Sequence, residues 1–387
     1  MFDFSQIRID RQSVEPLHVQ LARELRRSIR EINQEEYEAL PSERTLCGQL
    51  DLNRVTVHKA YEALENSGIV RRQPNKSLIP VRSARKRLEG NLPAIGIVLP
   101  CRFSQYIAGR KHTLKLLEGI FDRAAERQYA VFLQELPSPK TAPAERKNFI
   151  STHFSGLTGV LLLGDRDYDR DFMFDELLNY SGIPQVAIAG EVHELHIGAV
   201  KCSFEKAASD MADFFRSQGV HSVGTVACSS SLFVRDSRFD YSARHRDATM
   251  RKIIQSQGFE LPEKWQINAD FTENELVGDL PDAFWCYNDD CAMSLQNALT
   301  RLGAAPMPLI CGFDGILPDA EFATICQPFL EIGAQAVDLL IEQFENGITQ
   351  DNRIRYLDAK FVLPKSMKDF VVPKKRGRKP KVLLVRK

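Results

Sequence analysis

The stretch Leu40–His58, LPSERTLCGQLDLNRVTVH, sets small polar and basic side chains at the start of a second short helix, just after a tight turn. A helix that opens this way can enter the major groove of a duplex, where side-chain donors and acceptors meet base edges and phosphates. Asn53 is placed to cap that helix, and Val57, Ala60, Tyr61 and Leu64, at i, i+3, i+4 and i+7, face a core. Arg54, Val55, His58 and Lys59 are thereby left on the other side. Other chemistries lack their residues. There is no G-x-S-x-G, no Walker A lysine, no H-E-x-x-H and no glycine-rich dinucleotide loop. The eight cysteines form no C-x-x-C pair and no histidines stand at zinc-ligand spacing, so no catalytic centre, metal site, disulfide framework or cofactor is expected.

Three helices and a hairpin are needed to hold those residues. Across residues 15–32 the apolar positions Leu17, Leu21, Leu25 and Ile29 recur at four-residue steps, an amphipathic helix entered through Pro16. Arg23, Arg26, Arg27 and Arg30 lie mostly off its apolar stripe. Ser42 can cap a helix beginning at Glu43. After Ser67-Gly68, the segments IVRRQ, PNK and SLIPV read as two short strands about a tight turn, a wing. Charge is segregated: residues 1–87 carry a net +4, residues 88–373 a net −12 and residues 374–387 a net +8, so both ends suit a polyanion. Taken singly, Arg44 and Arg54 fit equally well as solvated charges on a small helical interaction domain. The order helix, helix, helix, wing favours DNA.

PLHVQLARELRRSI and LPSERTLCGQLDLNRVTVHKAYEALENSGIVRR resemble the N-terminal winged helix-turn-helix domain of the GntR family of bacterial transcription regulators, over about residues 13–81. The resemblance implies contacts to double-stranded operator DNA from Arg44, Asn53, Arg54 and Thr56, with His58 and Lys59 on the same helix and Asn75 and Lys76 at the wing turn. Two departures stand out. His58 takes the place of the family's usual arginine, and Asn75-Lys76-Ser77 replaces the usual Gly-x-Gly. Base preference at His58 therefore does not transfer from the family, while Lys76 still offers a phosphate contact.

Residues 1–82 form this domain, and SARKRLEGNLP (83–93) reads as a linker. From Ala94 the period changes. Apolar runs AIGIVLP, YAVFL, GVLLLG, PQVAIAG, SVGTVAC, AFWCYN and PLICGFD alternate with helical stretches near 114–127, 171–181, 204–218, 246–257 and 291–302. Strands apolar on both sides and alternating with helices predict a C-terminal α/β domain of parallel sheets, long enough at 94–366 for two lobes. LLEGIFDRAAERQYAVFL, GIPQVAIAG, RHRDATMRKIIQSQGF, AFWCYNDDCAM, CGFDG and TICQPFLEIGAQAVDLL resemble the sugar-sensing domain of the LacI family and the periplasmic sugar-binding proteins. We expect lobe 1 at about 94–195 and 314–347, and lobe 2 at about 196–313 and 348–366. The resemblance implies that Arg246 and Asp289 reach a ligand in the interlobe cleft, where a carboxylate and a guanidinium suit a polyol. Read as residues alone, Arg246 pairs equally well with Asp247, and Asp289 can cap the helix that follows it. Phe103 and Tyr106, in the loop CRFSQYIAG, offer rings that stack on a sugar or close the lobe. The family's frequent aspartate after the third crossover strand is here replaced by Ser203 and Phe204.

The tail, residues 367–387, contains KRGRKPK, similar to an AT-hook, in which Arg376 and Arg378 flank Gly377 to enter a narrow A·T minor groove. A basic tail touching phosphates without preference is the other reading. The expectation is a ligand-responsive repressor of carbohydrate-utilisation genes. It would bind operator DNA as a homodimer and be released by a small sugar-type effector. No apolar run of about 18 residues exists and the N-terminus lacks a signal-peptide pattern, so a cytoplasmic protein with no membrane partner is expected. A constitutive or architectural DNA-binding protein with a degenerate sensor domain is the alternative.

Overall fold

Leu17–Glu31 forms helix α1, with Leu21 and Leu25 wholly buried against the rest of the N-terminal domain. In this computed structural model the described residues are 7–13, 15–31, 39–66, 69–80, 93–99, 103–107, 111–135, 141–154, 157–163, 184–188, 197–228, 240–317 and 319–367. Helix α2 spans Glu43–Leu50, and its Ser42 cap accepts from the Thr45 amide at 3.1 Å. Helix α3 spans Arg54–Asn66, and Asn53 Oδ1 accepts from the Thr56 amide at 2.7 Å. Each cap satisfies a backbone donor that would otherwise lack a partner, worth about 1 kcal/mol. Val57, Ala60, Tyr61 and Leu64 face the core formed with Leu21, Leu25 and Leu46, as their spacing requires. Strands β1 (Val70–Arg72) and β2 (Leu78–Pro80) pair antiparallel as the wing. The Leu40 amide donates to the Leu78 carbonyl at 2.7 Å, tying the wing to the entry of α2.

Arg23 and Arg26, placed off the apolar stripe of α1, are buried, at 8% and 1% exposure. A second face of α1 is covered, by residues far away in sequence that no helical periodicity can report.

Past the linker, β3 (Ala94–Leu99), β4 (Ala130–Glu135), β5 (Gly159–Leu163), β6 (Gln185–Ile188) and β7 (Gly198–Ser203) belong to one parallel sheet. Helices α4 (Phe103–Ile107), α5 (Lys111–Glu126) and α6 (Pro143–His153) lie between them in sequence. Helix α7 (Glu205–Ser217), β8 (Val223–Ala227), α8 (Asp240–Ser256), β9 (Gln266–Asn268), β10 (Ala283–Cys286), α9 (Asp289–Arg301), β11 (Leu309–Asp314) and β12 (Ala323–Cys326) follow. Helix α10 (Phe329–Asn346), β13 (Ile354–Asp358) and β14 (Lys360–Val362) complete the order. The first sheet runs β13-β7-β6-β5-β3-β4 and the second β14-β12-β11-β10-β8-β9, parallel except for β14. Central strands such as β5 and β8 are buried at every residue, as sheets covered on both faces demand.

The lobe boundaries need correction. Strand 198–203, expected in lobe 2, pairs within the first sheet, and strand 323–326, expected in lobe 1, pairs with β11 in the second. Strand 354–358, also expected in lobe 2, lies beside β7 in the first sheet. An apolar run announces a strand but not its partner, because pairing is decided by residues distant in sequence. The expected helix near 171–181 lies outside the described residues, as do 83–92 of the linker and the tail from 368 onward.

Within the first lobe, α5 and α10 cross at close range. A Cβ on Gly119 would stand 2.0 Å from the Leu330 carbonyl oxygen, and one on Gly333 would stand 2.3 Å from that of Leu116. Trp285, in β10, is core. The seven described cysteines are free thiols. Burial pushes the Cys286 and Cys311 thiols up and raises Cys291 to about 12.

Candidate nucleic-acid interface and ligand site

The start of α3 is presented to solvent. Asn53, Arg54, His58 and Lys59 are exposed, Thr56 is half-buried, and Arg44 is exposed on α2. Val55, at 64% exposure, adds an apolar surface among them. The sequence had not flagged Glu43 as a partner of these groups. His58 Nδ1 lies 2.8 Å from its Oε1, and Arg54 Nε donates to its Oε2 at 3.2 Å. The hydrogen bond from His58, followed by that from Arg54, holds the Glu43 carboxyl below its ordinary range. One carboxylate on α2 thus gathers two groups of α3, although the Arg54 side chain remains 85% exposed. A cation held in this way can be handed to a phosphate or base with little loss of order. A serine-glutamate pair at a helix start signals capping, not a cross-helix ion pair, so nothing in the local pattern points to it.

The wing turn is built without the usual glycines. Asn75 Oδ1 accepts from the Ser77 amide at 3.0 Å, and the Lys76 amide donates to the Gln73 carbonyl at 2.9 Å. Lys76 adopts φ +66, a left-handed conformation that favours glycine. Asn75 and Lys76 are both exposed. Arg72 pairs with Glu65 at 2.8 Å, fastening the wing to α3. Arg376, Gly377 and Arg378 lie outside the described residues.

In the second lobe, Asp289 is bonded by its own lobe. Its side chain is wholly buried, with Oδ1 accepting from Thr324 Oγ1 at 2.6 Å and Oδ2 accepting from the Ile316 amide at 2.7 Å and the Leu317 amide at 3.4 Å. Both oxygens are occupied by the lobe itself, so Asp289 ties the start of α9 to the loop after β11. It does not cap α9 either, since Asn288 holds that position and accepts from the Cys291 amide at 2.8 Å. Burial pushes the Asp289 carboxyl up while these hydrogen bonds oppose it. One residue earlier stands a more available polar group. Asn288 is half-buried, and its Nδ2 donates to nothing among the described residues.

Asp314, which ends β11, is nearly buried at φ +95, an outlier for a residue with a side chain. Phe313 meets Phe204 edge to face at 5.2 Å, which accounts for an aromatic residue where an aspartate was expected. Arg246 is half-buried on α8, and Asp247 is bonded by Arg251 Nε at 2.9 Å, one turn onward. Phe103 opens the short helix α4, its amide donating to Glu135 Oε1 at 2.8 Å. Tyr106 lies on the same helix, and its ring is outside the described part. Among the described residues, no group of three His, Cys, Asp or Glu side chains could hold a metal ion, and no helix is long and apolar enough to cross a membrane.

Residues 17–79 match the bacterial regulatory proteins of the gntR family, and residues 212–367 match the periplasmic binding protein-like domain. The arabinose metabolism transcriptional repressor of Geobacillus stearothermophilus is 23% identical over 342 residues, covering 85% of this chain and 92% of its own. Among solved structures, the transcriptional regulator CelR in complex with cellobiose is similar at a TM-score of 0.54 and 18% identity, over 84% of this chain and 100% of that one. A regulatory protein of the LacI family from Chloroflexus aggregans is similar at a TM-score of 0.53 and 16% identity, over 70% of this chain and 97% of that one. The exposed start of α3 and the wing lie in the stretch matched to the gntR family, and the second sheet lies mostly in the stretch matched to the periplasmic binding protein-like domain, so the chain joins a gntR-like DNA-binding segment to a periplasmic binding protein-like one.

Proposed function

We propose that the protein is a ligand-responsive transcriptional repressor of carbohydrate-utilisation genes, binding operator DNA through α3 and the wing. The carrying observation is that one chain joins an exposed basic helix start, with Arg54 and His58 gathered on Glu43, to sheets of the kind that bind ligands at the carboxyl ends of their strands. The arabinose repressor and the cellobiose-bound regulator, similar along most of the chain, support a sugar-type effector. Arg44, Asn53, Arg54, Thr56, His58, Lys59, Asn75 and Lys76 are the proposed DNA contacts, with the basic tail as a second one. For the effector we propose Arg246, Phe103 and Tyr106, with Asn288 in place of Asp289.

A homodimer fits the first lobe. Leu114 and Phe121 on α5 and Leu330 on α10 are 56%, 45% and 47% exposed, an apolar surface that an isologous pairing would cover. Two winged domains would then meet the two half-sites of a near-palindromic operator. Reversing operator occupancy from 99:1 to 1:99 requires the effector to favour the released state by about 5.5 kcal/mol.

Thermal-shift screening of mono- and disaccharides on the intact protein, followed by operator binding with each hit, tests this reading. A sugar that raises the melting temperature and weakens operator binding is the expected result. No response to any sugar or sugar phosphate, with operator binding intact, would instead leave a constitutive DNA-binding protein with a degenerate sensor.

A further inference from the structure

Helix α1 is buried on two sides. Its apolar stripe packs into the winged domain, yet Val19, Gln20, Arg23 and Arg26 on the other side are buried as well, and among its residues 17–29 only Arg27 is exposed. A guanidinium taken out of water must find acceptors. That of Arg26 finds one in the first lobe, and that of Arg23 finds Glu15 beside it. Arg26 Nη2 donates to the carbonyl of Leu157, just before β5. Arg23 pairs with Glu15 and lies over Gly347, the residue that ends α10, so closely that a Cβ there would stand 2.8 Å from its Nη2. A cation at this place meets the partial negative charge of the helix C-terminus. Beside it, Ser13 Oγ donates to the Ile348 carbonyl at 2.9 Å, and the Ile348 amide opposes the rise that burial causes in the Glu15 carboxyl.

The receiving surface is held rigid. Asn352 Nδ2 donates to the Gly347 carbonyl at 2.9 Å, its Oδ1 accepts from the Thr349 amide at 2.7 Å, and Gln343 Nε2 donates to its carbonyl at 2.7 Å. Its position in the chain matters too. The chain returns to the first lobe at residue 327 and leaves it after 359, and the 347–352 turn lies between α10 and β13, in the middle of that return.

We propose that the second face of α1 is a docking surface whose partner is the chain's own first lobe, with Glu15, Arg23 and Arg26 fixing the winged domain on the 347–349 turn and on Leu157. The reader then moves with the first lobe as one body and does not swing freely on the linker. A displacement of α10 reaches α3 through α1. The docking requires neither a particular effector nor a particular operator, so it stands or falls separately from the proposed function.

Hydrogen–deuterium exchange on the full chain tests it. In the wild type, the 343–352 segment should exchange slowly. In R23Q/R26Q it should exchange at least tenfold faster, while 54–66 keeps its protection, which shows that the winged domain is still folded. Protection of 343–352 unchanged in that variant, or already absent in the wild type, overturns the proposal. Should R23Q/R26Q also expose 54–66, E15Q decides. It removes the charge that Arg23 pairs with beside the Ile348 amide, at nearly constant size, so faster exchange at 347–349 supports docking and unchanged exchange refutes it.

Discussion

Asp289 accepts three hydrogen bonds from its own lobe, so its replacement removes structure before it removes recognition. D289A would leave the Ile316 and Leu317 amides and the Thr324 hydroxyl without their acceptor. We expect a loss of about 3 kcal/mol or more in urea unfolding, since a buried group left unsatisfied costs about 1–3 kcal/mol. N288A should behave oppositely, weakening effector binding in calorimetry while costing stability only about the 1 kcal/mol of a lost cap. Glu43 gives a pH-dependent prediction. Its carboxyl is held below its ordinary 4.5 in the folded protein, so its pairing stabilises fully above that value and fades as pH falls through the lowered native value. The stability difference between wild type and E43Q should therefore shrink as pH falls below about 4.5. A difference that grows on acidification would contradict the pairing. Its size will be small, because water screens the site.

The wing shows how an element keeps its shape when its usual residue type is absent. Lys76 holds a left-handed φ because the Gln73 carbonyl and the Asn75 carboxamide close the turn around it. That conformation costs a residue with a Cβ about 1 kcal/mol, a cost that glycine escapes. K76G should thus melt no lower than the wild type while binding operator more weakly. If Lys76 touches a phosphate, the log–log salt slope should fall in magnitude by about 0.9. An unchanged slope would leave Lys76 without a phosphate partner. At α1 the same logic runs in reverse. The apolar stripe of this helix is plain in the sequence, whereas its second buried face is polar and becomes intelligible only once the 347–349 turn and Leu157 lie against it.

For the molecule as a whole, a neutral sum of charges conceals basic ends around an acidic middle, which directs DNA to the ends and away from the sensor lobes. If the effector and operator act on one equilibrium, their coupling is reciprocal. Saturating operator DNA should then weaken the effector by the same factor by which saturating effector weakens the operator, both measured by titration. Equal effector affinity with and without operator would sink the repressor mechanism while leaving the fold and the docking of α1 untouched.

Local patterns in the chain suffice for the three helices and the wing, the two caps at Ser42 and Asn53, the exposed start of α3, strands β3 to β6, β8, β10 and β11, and helices α5, α7, α8 and α9. These features arise from periodicity and from backbone donors satisfied within a few residues, both of which are local. Three-dimensional packing decided the rest: that β7 and β13 join the first sheet, that Asp289 serves its own lobe, that Glu43 gathers Arg54 and His58, and that two arginines of α1 are buried. Each depends on which distant groups come within hydrogen-bonding reach, and spacing along the chain carries no record of that.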